Sequence, residues 1–300
     1  MSSDVLASAD AQARDAAPRA AEPGRSAAPR RRPTAILDAA LRGVRRALPP
    51  LVVLVVVLLA WQAITRWGDV PRYLVPSPTD VASAARDNAP DLLTSLLTTT
   101  REAVTAFVVS GALGILGAIG LASSRTIERS VYPYAIVLQT IPVVATAPLI
   151  VIWFGASITS VVVIAAIMGF FPVLSSTLTG LRATDHRLTD LFALYDAGRW
   201  QTMWRLRIPA ALPYVVSGLR VSSTLAVVGA IVGEYIAGIG NGEAGLGFAI
   251  TQSAIRLETP YLFAAGIAAS ILGIAFFQLV NGLSRLLLGS WHESEMRVER

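Results

Sequence analysis

Leu51-Val-Val-Leu-Val-Val-Val-Leu-Leu-Ala60 is an unbroken apolar run with no charge in it. With its flanks it extends over about 47–66, and roughly 20 apolar residues suffice for a helix to cross the hydrocarbon core of a bilayer. The rest of the chain agrees. Of its 300 residues, 54% are hydrophobic and 15% charged, and the mean hydropathy is +0.58. An ordinary soluble domain is about 25% charged. A chain this poor in charge cannot cover itself with polar surface, so lipid is its expected solvent. Five further segments read as spans, at about 94–122, 131–152, 158–180, 211–237 and 260–288. The expected fold is an all-α polytopic membrane protein with six transmembrane helices.

Composition also excludes chemistry. Cysteine is absent, which removes disulfides, iron–sulfur clusters and thiolate zinc sites. All 25 basic residues are arginine, so there is no P-loop lysine and no Schiff-base lysine. The two imidazoles, His186 and His292, lie far apart in the chain and form no paired-histidine metal motif. No convergent set of His, Cys, Lys or paired carboxylates suggests a membrane enzyme.

Arginine sets the orientation. Residues 1–46 read as a disordered tail rich in Ala, Pro, Ser and Arg, with Arg30, Arg31, Arg32, Arg42, Arg45 and Arg46. A signal peptide would need a short apolar core near the start, whereas the apolar run here begins after more than forty residues. With the tail inside, the loops 123–130 and 181–210 and the tail 291–300 are cytoplasmic. These hold Arg125, Arg129, Arg182, Arg187, Arg199, Arg205, Arg207, Arg297 and Arg300. The opposite loops carry Arg72, Arg86 and Arg256 against Asp69, Asp80, Asp87, Asp91, Glu243 and Glu258. Residues 47–290 thus form the membrane domain, with both termini cytoplasmic.

Several features lie within the spans. Gly111, Gly114, Gly117 and Gly120 recur every three residues, a spacing that lets helix backbones approach closely. Pro133, Pro142 and Pro148 disturb the third span, and backbone freed in a membrane must be buried or line a cavity. Gln139, Thr140, Pro142 and Thr146 are therefore candidate pathway residues, with irregular packing as the equal alternative. Glu234, a costly intramembrane charge, could pair with Arg101, cap a helix end or face a pore. Gly240-Asn-Gly242-Glu-Ala-Gly245 matches a dinucleotide fingerprint in letters but lacks the preceding strand, and reads as a tight re-entrant or surface loop.

Residues 181–210 are too polar to span and too patterned to be a linker. Leu188, Leu191, Phe192 and Tyr195 fall at helical spacing, as do Trp200, Met203, Trp204 and Arg207, with Asp196-Ala-Gly198 as a turn signal. Two short amphipathic helices ending at Pro209 are expected, either lying on lipid or presented to a partner protein.

The stretch Asp190-Leu-Phe-Ala-Leu-Tyr-Asp196-Ala-Gly-Arg-Trp-Gln-Thr-Met-Trp-Arg-Leu206-Arg-Ile208-Pro209 resembles the EAA motif of ABC-importer permeases. Asp190 stands for the motif's Glu, Leu206 and Ile208 for its aliphatics, and Pro209 closes it. Leu74-Val-Pro-Ser-Pro-Thr, Ile141-Pro-Val-Val-Ala-Thr-Ala-Pro-Leu-Ile, Trp153-Phe-Gly, Leu212-Pro-Tyr, Gly218-Leu-Arg and Gly245-Leu-Gly are similar to the nitrate/sulfonate/taurine-type branch. The resemblance covers about 50–290. One departure is Asp196 at the motif's glycine position, where Gly198 is expected to take over the bend.

The resemblance implies a type I importer permease of the bacterial inner membrane. It would work as a dimer with a second permease copy, an ABC ATP-binding subunit and an extracytoplasmic solute-binding protein. ATP and magnesium would sit on the ATPase, no cofactor on this chain, and nucleic acid has no part. Asp190, Tyr195, Asp196, Arg199, Trp200, Trp204 and Pro209 would couple to the ATPase; the tryptophans could instead only anchor the loop at the interface. The implied cargo is a sulfonate-, nitrate- or taurine-like anion or a pyrimidine-type vitamin precursor. The rival class is an ion-coupled secondary transporter, for which Glu234 is the serious candidate group.

Overall fold

The computed structural model describes residues 34–68, 70–238 and 244–288, which form helices joined by short connections. The helices are α1 (Thr34–Trp67), α2 (Pro78–Asp87), α3 (Ala89–Ala122), α4 (Arg125–Thr140), α5 (Val143–Phe154), α6 (Ile158–Arg182), α7 (His186–Leu194), α8 (Arg199–Thr202), α9 (Ile208–Ala237), α10 (Leu246–Ile255) and α11 (Thr259–Leu288). A π-helical turn, Met203–Arg207, joins α8 to α9. The chain divides into two units, residues 1–57 and 58–300.

The first unit contains the start of α1. Residues 34–46, expected to be tail, are already helical. Ala, Leu and Arg dominate there, and these are strong helix formers. The part of α1 that can cross a bilayer is Leu48–Trp67, close to the expected span. Residues 1–33, 69, 239–243 and 289–300 lie outside the described residues, and with them most of the expected tails and the first two glycines of the fingerprint-like loop.

In the second unit, α3, α6 and α11 are long and apolar enough to cross, as is the continuous 39-residue helix from Arg199 to Ala237, which exceeds what one crossing needs and so extends beyond the membrane. The expected single third span is instead two helices, α4 and α5, meeting at 97°. Ile141 and Pro142 adopt extended ψ values of 122° and 115°. The cause is local: a residue before proline is pushed out of the helical region, and proline offers no N–H to continue the ladder. Pro133 and Pro148 lie inside α4 and α5 and break neither. Among the described residues, five helices are therefore long and apolar enough to cross singly, or six if the bent pair counts as one broken span.

The core is a three-helix seam. Ala103 and Ala106 of α3, Val161 and Ala165 of α6, and Val227 and Ala230 of α9 share one cluster with Phe276 and Val280 of α11. Small residues set the spacing. A Cβ on Gly229 would lie 2.6 Å from the Ala165 Cα, and one on Gly114 would lie 2.7 Å from the Val173 Cβ. Gly111 and Gly117 also face neighbours, whereas Gly120 faces nothing within 4 Å. At one end, Leu121 of α3 and Leu178 and Leu181 of α6 pack with Met203 of the π turn and Ala211 of α9. At the other, Leu246 and Ala249 of α10 pack on Ala265 and Ala269 of α11. The Ser-Pro-Thr stretch before α2 forms a capping box, in which Ser77 and Asp80 each receive the other's backbone N–H. The Ser77 hydroxyl, donating at 2.6 Å, holds the Asp80 carboxyl below its usual range.

Candidate functional site

The loop 183–207 is a helix–turn–helix with a defined bend. Asp185 caps α7 by accepting the Arg187 N–H at 2.9 Å. The helix ends in a Schellman motif: Asp196 N–H donates to Ala193 O at 3.1 Å and Ala197 N–H donates to Phe192 O at 3.0 Å. Such an ending needs a left-handed residue, and Asp196 supplies it with φ +52°. The expectation that Gly198 would take the bend is therefore corrected. Gly198 is extended, with φ −64° and ψ 158°, and starts α8 instead. Asp is among the few residues that enter this region at low cost, because its short side chain bonds locally.

The second expected short helix is also corrected. It does not end at Pro209 but runs through the π turn into α9. Ile208 N–H donates to Met203 O, five residues back. A proline ring clashes with the carbonyl four residues behind it, and the wider turn just before Pro209 absorbs that conflict. The loop is thus rigidly continuous with a spanning helix and pinned by buried Met203, a residue the sequence placed on the amphipathic face without marking it as an anchor.

This scaffold exposes apolar side chains. Leu194 is 82% and Tyr195 80% exposed, Trp200 64% and Trp204 61%, with Leu188 and Leu191 also in the open. Asp190, Asp196 and Arg199 are exposed as well, while Pro209 is half-buried. Apolar patches of this kind on a segment outside the spans mark a contact surface.

The α4–α5 break borders a cavity of about 520 Å³ whose walls include Leu138, Ile141, Val143, Thr146, Phe170 and Phe171. Of the candidate pathway residues, Thr146 lines it. Gln139, Thr140 and Pro142 are exposed beside it and do not.

Glu234 is fully buried and caps a helix end, the second of its three expected roles. Its carboxylate accepts the Thr99 hydroxyl at 2.6 Å and the Gly247 N–H at 2.5 Å, and Thr99 Oγ1 in turn accepts the Leu246 N–H at 2.8 Å. Those N–H groups belong to the first turn of α10, which otherwise has no partners for them and carries positive partial charge. Glycine is required here, because a Cβ on Gly245 would collide with the carboxylate and one on Gly247 with the Ile231 carbonyl oxygen. Arg101 is exposed and forms no ion pair with Glu234. The placement of Glu234 among pathway residues is corrected accordingly. Its partner Thr99 lies 135 residues away, beyond what local pattern reveals. Among the described residues no cluster of three or more metal-ligating groups occurs.

Residues 110–289 match the family described as binding-protein-dependent transport system inner membrane component. The formylaminopyrimidine transport permease protein ThiX of Halalkalibacterium halodurans is 33% identical over 251 residues, covering 83% of this chain and 98% of its own. The riboflavin transport system permease protein RibX of Chloroflexus aurantiacus is 33% identical over 81% of this chain and 90% of its own. The putative aliphatic sulfonates transport permease protein SsuC of Bacillus subtilis is 27% identical over 80% and 86% respectively.

Proposed function

The chain belongs to the binding-protein-dependent transport system inner membrane component family, the permease component of ABC transporters for small solutes, and from that membership we propose that it is moved by a separate ATPase through the loop 183–207. The observation that supports this most is the loop itself. It presents Leu188, Leu191, Leu194, Tyr195, Trp200 and Trp204 to solvent on a scaffold continuous with the spanning helix α9. A lever must be stiff and attached, and this one is both. ATP would shift the spans only by binding one conformation of the assembly more tightly than the other. Asp190 supplies a charged contact at the rim, and Asp196 sets the bend.

The assembly we propose holds two copies of this chain, the ATPase on the arginine-rich face and a solute-binding protein on the opposite face, in the bacterial inner membrane with both termini cytoplasmic. Thr146 and the apolar cavity at the α4–α5 break lie on the pathway. The cargo class is a small heterocycle of the pyrimidine vitamin-precursor type. Two observations support it over a sulfonate. ThiX and RibX are nearer in sequence than SsuC. The cavity is walled by Phe170, Phe171 and aliphatic side chains rather than by cations.

Uptake of labelled formylaminopyrimidine and of taurine by cells carrying the importer tests the cargo; preferential taurine uptake would refute it. Replacing Leu194 and Tyr195 together by Ala tests the lever. The expected result is loss of ATPase co-purification and at least a tenfold drop in uptake, with membrane insertion unchanged. Undiminished uptake would end the coupling proposal.

A further inference from the structure

Two cavities meet at the arginine-rich end of the spans. One, of about 670 Å³, is bordered by Ser124, Arg125, Thr126, Arg199, Trp200 and Arg207. The other, of about 310 Å³, shares Arg125, Thr189 and Arg207 with it and adds Arg129, Arg182 and Glu128. Five arginines thus surround the pair of cavities against one glutamate. That glutamate is already engaged, since Arg182 pairs with Glu128 and stacks 5.1 Å from the Tyr132 ring centre. Among the described residues, Arg125, Arg129, Arg199 and Arg207 have no ion-pair partner. Ser124, at the start of α4, borders the larger cavity and makes no side-chain cap to that helix.

Guanidinium groups held around one void repel each other, and a phosphate relieves that repulsion while accepting forked hydrogen bonds. The position of the void identifies which phosphate. Ala122 ends α3, Arg182 ends α6 and Arg207 immediately precedes α9, so the cavities sit where three spans leave the hydrocarbon. Trp200 at the rim suits that depth, where tryptophan is enriched. Leu188, Leu191, Leu194 and Tyr195 border neither cavity, which separates the space from most of the proposed ATPase contact.

We infer that Arg125, Arg129, Arg199 and Arg207 bind the phosphate of an anionic phospholipid from the cytoplasmic leaflet. This lipid fastens the loop 123–130 to the loop 183–207. The site would make coupling sensitive to the charge of the leaflet, since basic pockets between helix ends gain affinity with each arginine that reaches the headgroup. The depth argument rests on the orientation proposed above. The test does not, because it reads binding rather than transport.

The full-length chain, delipidated in detergent, is titrated with phosphatidylglycerol or phosphatidylcholine, and bound lipid is counted by native mass spectrometry. Phosphatidylglycerol should be retained and phosphatidylcholine should not. The Arg125→Gln/Arg207→Gln double variant should bind phosphatidylglycerol at least tenfold more weakly, and Arg187→Gln, outside both cavities, should bind as the wild type does. Because the double variant could fail to fold, the wild type is also challenged with soluble glycerol phosphate, which should not displace the lipid. Equal binding of the two lipids, or an equal loss with Arg187→Gln, would overturn the inference. Displacement by glycerol phosphate would assign the site to a cytosolic phosphate instead. Expulsion of the lipid on adding the ATPase would assign it to the protein interface.

Discussion

At Asp196 the backbone dictates the residue more than the side chain's charge does. A left-handed residue costs an L-amino acid about 1–2 kcal/mol, less for Asp, and nothing of consequence for Gly. Asp196→Gly should therefore preserve or slightly raise thermal stability and keep uptake. Asp196→Val should lower both, because a β-branched residue resists φ +52°. Loss of uptake in Asp196→Gly together with retention in Asp196→Asn would show that the polar side chain, not the bend, is what the partner reads. Glu234 argues the reverse case, in which the side chain dictates. Glu234→Ala leaves the Gly247 N–H without its buried acceptor and should cost about 3 kcal/mol. If the cap is one network, the effects of Glu234→Ala and Thr99→Val on thermal unfolding will be non-additive by more than about 0.5 kcal/mol. Additive effects would dissolve the network. Sequence exposed the cost of a carboxylate at 234 but not its use, since the acceptor, Thr99 and Gly247 are brought together only by packing.

Between elements, the seam of α3, α6 and α9 depends on which glycines meet another helix. The four glycines of α3 look equivalent in the sequence, yet only three meet a neighbour. Gly229→Ala should push α9 off α6, because the new methyl would meet the Ala165 backbone, and the expected loss is about 1–3 kcal/mol. Gly120→Ala should be neutral or stabilising, since it adds helix propensity in open space. Melting of the two variants in detergent checks the contrast, and equal losses would refute the assigned seam. The same scale shows why long elements were legible and their interruptions less so. Apolar runs located the long helices, although the third is a bent pair and the helix holding 211–237 begins at Arg199. Prolines gave the places where a helix is under stress, but not the response. Pro142 breaks the helix, Pro133 and Pro148 are tolerated, and Pro209 is absorbed by a π turn. Which response wins depends on what surrounds the freed carbonyls, and that is settled by neighbouring helices rather than by the proline.

For the whole molecule the decisive question is which face meets the cytoplasm, because the lever and the lipid site both need the arginine-rich face inside. The positive-inside rule counts arginines near span ends, and here they gather on the loops 123–130 and 181–210. The chain offers a clean readout, since it contains no cysteine. A single thiol introduced by Ser83→Cys sits on exposed α2, and one introduced by Thr126→Cys sits on exposed α4, at opposite ends of α3. A membrane-impermeant maleimide applied to spheroplasts should label Ser83→Cys and leave Thr126→Cys unmodified until the membrane is opened. The reverse pattern would put the exposed tryptophans and leucines of 183–207 outside the cell, away from any ATP, and the stiff connection from that loop into α9 would then have nothing to transmit.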